Sequence, residues 1–248
     1  IIVPTTVLAQ QHFRTFSQRM ADYPVDVRLL CRFITAKEQR KTLKDMAEGG
    51  CDIVIGTHRL LQEDIIFERL GLVVVDEEQR FGVDSKEQLK RMRATVDILT
   101  MTATPIPRTL YFSLAGLRDF STIMTPPIER KPVKTIVAKE DDEIVKQAIT
   151  REIERGGQVY LLHNRVQTIE KRAFQIQQLV PEAKVVFGHG QMKDSELEDV
   201  MSSFIDRKFN ILVATTIIES GLDNPYANTI IIDRADRFGL AELYQLRG

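Results

Sequence analysis

Short apolar runs rich in Val, Ile and Leu alternate with helix-length amphipathic stretches along the whole chain, and this rhythm constrains the fold more than any other feature. In the first half the runs fall at residues 1–3, 27–30, 53–55, 72–75 and 98–101, with helical patterns at 6–20, 35–48, 84–93 and 107–115. The runs show no polar alternation, which suits parallel strands buried on both faces. Strands alternating with helices predict βαβ units. The rhythm breaks at 126–132, where Pro126, Pro127 and Pro132 can continue neither a helix nor a central strand. It then restarts, with runs at 133–137, 159–162, 185–187, 211–214 and 229–232 and helical patterns at 142–155, 166–179 and 193–206. The expected architecture is α/β, with parallel sheets in two tandem domains, 1–125 and 133–248, joined by a linker at 126–132. There is no repeat of 20–50 residues, which argues against a solenoid.

The chain has 248 residues, and at about 150 residues per domain that length accommodates two compact units. With 43% hydrophobic and 28% charged residues, intrinsic disorder is excluded. No apolar run is long enough to span a membrane. The net charge of −1 argues against a protein that passively coats nucleic acid, but not against a machine that touches it in a local groove. Cys31 and Cys51 read as buried thiols in a reducing, cytoplasmic setting. The chain opens on Ile1-Ile2-Val3 rather than Met and stops inside a helical pattern at Gln245-Leu246-Arg247-Gly248, so it reads as a piece of a longer protein.

The strongest local motif is Leu72-Val73-Val74-Val75-Asp76-Glu77-Glu78-Gln79. Open α/β sheets bind ligands at the carboxyl ends of their strands. An Asp there can hold Mg²⁺ against phosphates, and a neighbouring Glu can orient or deprotonate water. The plainer alternative is an acidic helix start favoured by the dipole. Met101-Thr102-Ala103-Thr104-Pro105 follows another apolar run and either relays hydrogen bonds or simply caps a helix. Val3-Pro4-Thr5-Thr6 and Ile55-Gly56-Thr57-His58 are strand-end turns with hydroxyls suited to phosphates or to capping. Leu162-His163-Asn164-Arg165, Phe187-Gly188-His189-Gly190 and Ala214-Thr215-Thr216 occupy the same kind of place in the second half. Gly221 allows close backbone approach there, and Asp223 can meet a ribose hydroxyl. His58, His163 and His189 lack metal-ligand spacing and read as structural.

Taken in order, these pieces resemble the motor core of superfamily 2 helicases and translocases. Val3 to Thr6 looks like motif Ia, Ile55 to Thr57 like motif Ib, Asp76 to Gln79 like motif II, and Thr102 to Pro105 like motif III. Val159 to Arg165 sits at motif IV, Thr215 to Asp223 looks like motif V, and Gln245 to Gly248 like the start of motif VI. Arg80-Phe81-Gly82-Val83 and Ile106-Pro107-Arg108-Thr109-Leu110 resemble the branch holding transcription-repair coupling factors and RecG-type helicases. Glu78 and the stretch Gly116-Leu117-Arg118-Asp119-Phe120-Ser121 favour the coupling factors.

The resemblance implies two RecA-like domains with ATP between them, the first truncated at its N-terminus. It implies that Asp76 holds Mg²⁺ through water, that Glu77 activates the attacking water, and that Gln79, Thr102 and Thr104 couple nucleotide state to movement. Gly221, Asp223 and Gln245 would face the nucleotide. Thr5, Thr57, Asn164, Thr215 and Thr216 would contact the backbone of double-stranded DNA. RNA polymerase and excision-repair proteins are the implied partners, through modules outside this chain.

Two parts of the family pattern are absent from the 248 residues: the phosphate loop G-x-x-x-x-G-K-[ST] and the arginine of motif VI. An arginine finger contributes about 10³–10⁵ in rate. The stretch alone is therefore expected to hydrolyse ATP negligibly and to lack a strand of its first sheet. The competing readings are a non-hydrolysing nucleic-acid-binding module, which has no need of the Asp76-Glu77 pair, and an unrelated nucleotide-binding domain pair, which does not explain the motif order.

Overall fold

The computed structural model describes residues 1–32, 34–102, 119, 121–125, 133–215 and 224–247, leaving aside the side chains of Gln79, Asp194, Ala241, Tyr244, Gln245 and Arg247. The chain divides into two compact units, Ile1–Asp119 and Phe120–Gly248. The helical pattern at 107–115 and the linker at 126–132 lie outside the described residues.

In the first unit, β1 (Val27–Leu30) pairs in parallel with β2 (Ile53–Gly56), and β3 (Leu72–Asp76) with β4 (Asp97–Met101). The opening residues join the two pairs. Ile2 bridges Gly56 on one side and Val75 on the other, both in parallel. Val3 N–H donates to the Gly56 carbonyl at 2.9 Å, and Asp76 N–H donates to the Ile2 carbonyl at 2.9 Å. The result is one parallel sheet in the order β1, β2, residues 1–3, β3, β4.

Helices α1 (Thr6–Arg19), α2 (Ala36–Ala47) and α3 (Val83–Met92) supply the covering layers. Leu8 and Ala9 of α1 pack with Val3, Leu29, Cys31 and Ile55. Met46 of α2 and Leu89 of α3 pack with Ile2, Leu30, Val73 and Val75. Local sequence sets the helix starts. Thr35 and Glu38 form a reciprocal capping box on α2, and Thr5 Oγ1 accepts from Leu8 N–H at 3.3 Å on α1. Cys31 is buried and Cys51 half-buried, and burial pushes the Cys51 thiol up to about 11.

In the second unit, β5 (Gln158–Leu162) lies between β7 (Ile211–Ala214) and β8 (Ala227–Ile232), with β6 (Val185–Gly188) outside β7, all in parallel. Helices α4 (Asp142–Glu154) and α5 (Val166–Leu179) bury Val145, Ile149, Ile169, Ala173 and Ile176 against β5 and β7. On α6 (Asp194–Ile205), Phe204 stacks at a tilt on Tyr160 of β5, with ring centroids 5.1 Å apart. Gln158, fully buried, donates from Nε2 to the carbonyls of Phe204 and Phe209 at 2.7 Å each. A buried amide must find partners, and this one ties β5 to the end of α6.

The two units share one plan, each taken by itself. Residues 1–3, α1, β1, α2, β2 and β3 follow one another as do β5, α5, β6, α6, β7 and β8, and the strands pair in the same order. The hydrogen bonds match as well. Val3 N–H to Gly56 corresponds to His163 N–H to Ala214 (2.8 Å), and Asp76 N–H to Ile2 corresponds to Asp233 N–H to Leu162 (2.9 Å).

Two expectations fail. Residues 133–137 are not a strand; Ile136 is 67% and Val137 92% exposed, because no strand edge among the described residues pairs with them. Nor is every strand of the first sheet buried on both faces. In β4 exposed and half-buried positions alternate, and Leu99 is 51% exposed, as suits the outermost strand among the described residues.

Gly56 packs where a side chain has no room. A Cβ there would collide with the Leu30 carbonyl oxygen and meet Leu60 at 3.0 Å. Gly56→Ala therefore forces β1 and β2 apart, and it should lower stability by about 1–3 kcal/mol in a urea titration.

Candidate active site

Every strand of the first sheet is parallel, so all carboxyl ends open on one edge, and the motif residues collect there. Asp76 is the last residue of β3, Thr5 caps α1 after residues 1–3, Thr57 follows β2, and Thr102 follows β4. Thr57 is buried. Thr5 is exposed, and the hydroxyl oxygen that accepts from Leu8 keeps its proton to donate outward.

The turn after Asp76 is strained. Glu77 has φ 53° and ψ 50°, the left-handed region that non-glycine residues avoid, and it is buried. Such a conformation costs on the order of 1–3 kcal/mol and persists only where its surroundings fix it. Glu77 N–H donates to the Met101 carbonyl at 3.0 Å, which ties this turn to the end of β4. A short 3₁₀ turn, Glu78–Arg80, follows and carries Gln79.

The Asp76 carboxylate meets α1. His12 Nε2 lies 3.3 Å from Asp76 Oδ2. An ionised carboxylate only accepts, so Nε2 carries the proton in this contact. Among the described residues, no group of three or more His, Cys, Asp or Glu converges as a metal cage. Mg²⁺ does not require one: it keeps several waters and takes one or two carboxylates together with substrate phosphates. Asp76 beside Glu77 offers hard carboxylate oxygens at a strand end, which fits that ion.

In the second unit, Asn164 and Thr215 stand at the carboxyl ends of β5 and β7. Gln245 lies on α7 (Leu240–Arg247). Thr104, Thr216, Gly221 and Asp223 lie outside the described residues.

The turn after β3 has a counterpart that the sequence reading passed over. Asp76-Glu77-Glu78-Gln79-Arg80-Phe81-Gly82 is echoed by Asp233-Arg234-Ala235-Asp236-Arg237-Phe238-Gly239 after β8. Arg234 is left-handed like Glu77, with φ 55° and ψ 54°. Arg80 N–H donates to the Glu77 carbonyl and Arg237 N–H to the Arg234 carbonyl, at 2.9 Å in both. Phe81 and Phe238 are both buried.

The carboxylates differ in what they meet. Arg172 of α5 grips Asp233 with two hydrogen bonds, Nε to Oδ2 at 2.8 Å and Nη2 to Oδ1 at 3.0 Å. His163 Nδ1 adds a contact to Oδ2 at 3.0 Å, and its Nε2 lies 2.8 Å from Thr168 Oγ1. Both ring nitrogens of His163 thus have a partner within the second unit.

A DEAD/DEAH box helicase model matches residues 1–111, and a helicase conserved C-terminal domain model matches residues 140–248. The chain belongs to the superfamily 2 helicase cores. This helicase core is 58% identical over its whole length to the transcription-repair-coupling factors of Haemophilus influenzae and Escherichia coli, and 54% identical to that of Bacillus subtilis. It spans about a fifth of the length of these relatives, 21–22%. It also resembles RecG bound to a three-way DNA junction, with a TM-score of 0.80 and 36% identity, covering 99% of this chain and 33% of that one. The L327V variant of Saccharomyces cerevisiae Dbp5 bound to RNA and ADP BeF₃ gives a TM-score of 0.71 at 12% identity, covering 99% of this chain and 66% of that one, a likeness of fold alone. Two RecA-like helicase domains with parallel sheets are the architecture anticipated from the motif order.

His12, Arg172 and Asp233 were missed in the sequence. The recurrence of Asp-x-x-x-Arg-Phe-Gly after a β-branched run was the available signal for Asp233.

The Arg172–Asp233 pair is largely withdrawn from water, with side chains 8% and 12% exposed. Removing one partner of such a pair strands the other charge, at about 3–5 kcal/mol. Arg172→Ala should cost that much in denaturant unfolding of the second unit, and Asp233→Asn should cost nearly as much.

Proposed function

We propose that this chain is the motor core of an ATP-driven double-stranded DNA translocase of transcription-coupled repair, which moves on DNA and displaces stalled RNA polymerase. The observation that carries this reading is the 54–58% identity to coupling factors over all 248 residues. The geometry supports it with an acidic pair on a strained turn at the carboxyl end of a parallel sheet. Among the described residues no helix is long and apolar enough to cross a membrane. A cytoplasmic enzyme is the expectation that goes with the likeness to coupling factors.

The residues divide the work. When bound, Mg²⁺ neutralises charge on the nucleotide phosphates. Asp76 would hold that ion, with water between. Glu77 would accept a proton from the attacking water at a carboxylate oxygen that the left-handed backbone holds in place. Gln79, Thr102 and Thr104 would sense the nucleotide from the same edge. Gly221, Asp223 and Gln245 would complete nucleotide contact from the second domain. Thr5, Thr57, Asn164, Thr215 and Thr216 would take the DNA backbone, and contacts of that kind carry no sequence preference. The excision-repair proteins would be recruited by parts of the protein outside this stretch.

In the full-length protein, Glu77→Gln should lower ATP turnover by about 10²–10⁴-fold while leaving ATP binding intact, as expected for the loss of a general base. The same variant should leave a stalled polymerase on its template, whereas the unsubstituted protein removes it. The 36% identity to RecG favours a second reading, a fork-remodelling helicase. Fork regression without polymerase release would establish that reading instead.

The 248 residues contain no phosphate loop and no motif VI arginine, so on its own this stretch should hydrolyse ATP negligibly. DNA-stimulated phosphate release by the isolated stretch would overturn that expectation.

A further inference from the structure

The likeness of the two units allows each side chain around Asp76 to be compared with its counterpart around Asp233. Residues 1–3 correspond to the end of β5, because Asp76 N–H bonds Ile2 as Asp233 N–H bonds Leu162. Helix α1 then corresponds to α5, each running from an N-cap, Thr5 or Arg165, just past the strand. His12 is the seventh residue of Thr6–Arg19, and Arg172 the seventh of Val166–Leu179. The two residues therefore stand at one place in the frame, and each reaches the carboxylate at the end of the neighbouring strand.

What they do to that carboxylate differs. Arg172 pairs with Asp233: the guanidinium fork takes both oxygens, His163 approaches Oδ2 as well, and the positive charge offsets the negative one. A carboxylate in that state has little to offer a cation. His12 offers one N–H to one oxygen of Asp76. It leaves Oδ1 without a side-chain partner among the described residues.

We propose that His12 is a positioning residue for Asp76, holding the carboxylate by Oδ2 so that its other oxygen serves the metal–nucleotide complex. This rests on the role given to Asp76 above. The same frame thus makes an ion site in one unit and a sealed ion pair in the other, and residue twelve is the switch between them. Partners that orient a metal-binding carboxylate are typically worth about 10–100-fold in metal affinity.

The test uses the full-length protein and Mn²⁺ as the probe. Electron paramagnetic resonance reads Mn²⁺ binding in the presence of a non-hydrolysable ATP analogue, beside ATP turnover and thermal melting. His12→Arg should import the second unit's arrangement and weaken Mn²⁺ binding by at least about tenfold, with turnover falling in parallel and the melting temperature held. His12→Ala should weaken Mn²⁺ binding by a smaller factor, and His12→Gln, which keeps an N–H donor, should recover part of it. If His12→Arg fails to fold, the Ala and Gln variants decide. Mn²⁺ affinity unchanged in the His12 variants while Asp76→Asn loses it would overturn the positioning role alone. Unchanged affinity in Asp76→Asn would remove the metal role of Asp76, and the inference with it.

Discussion

Three residues hold the first sheet together. The strand pairs β1–β2 and β3–β4 share no ladder hydrogen bonds; the backbone of residues 1–3 runs between them and bonds to both. Its side chains bind the layers too. Ile2 lies in the cluster with Met46, Val73 and Leu89, while Val3 lies in the cluster with Leu8, Leu29 and Ile55, so successive residues serve opposite faces as a strand's period of two requires. Because this segment is parallel to its neighbours, Thr5, Thr57 and Asp76 come to one edge. Remove the segment and the acidic turn loses the hydrogen bond from Asp76 N–H to Ile2 that fixes where its carboxylate begins.

The second unit satisfies the same constraint differently. Its central strand β5 is a full strand buried at every position, and Gln158 at its start locks it to α6. The edge it creates is then sealed by Arg172 and Asp233. A bidentate, largely dehydrated ion pair holds shape, whereas a carboxylate with one donor keeps chemistry available. The two units spend the same geometry on these two ends.

Much of this was legible in the residues. Largely apolar runs flanked by turn residues located the strands to within a residue or two at 27–30, 72–75 and 211–214, although only the last is buried at every position. The run at 133–137 carries the same local signal and is not a strand, because a strand needs an edge to pair with and a local pattern does not report one. The acidic pair was legible for the same reason as the strands: three acids directly after four apolar residues mark a strand end. That Glu77 is left-handed was not, since nothing in Glu itself favours that region. His12 and Asp76 are 64 residues apart in sequence, and Arg172 and Asp233 are 61 apart. Only the topology brings such pairs together, by laying a helix over the strand that precedes it.

The echo of Asp-x-x-x-Arg-Phe-Gly shows how far a shared backbone constrains function and where it stops. Both turns adopt the left-handed residue, the 3₁₀ hydrogen bonds and the buried phenylalanine, although the residue in the left-handed position is an acid in one and an arginine in the other. The turn is therefore a property of the strand-to-helix connection and not of the chemistry performed there. Arg234, which is exposed, spends its guanidinium on Asp236 two residues away, and the carboxyl of Asp236 is held down at about 2 by that hydrogen bond. Glu77, at the same point of the turn, is buried. Two residues with nearly the same φ and ψ thus differ in burial, an acid turned inward in one turn and an arginine turned outward in the other.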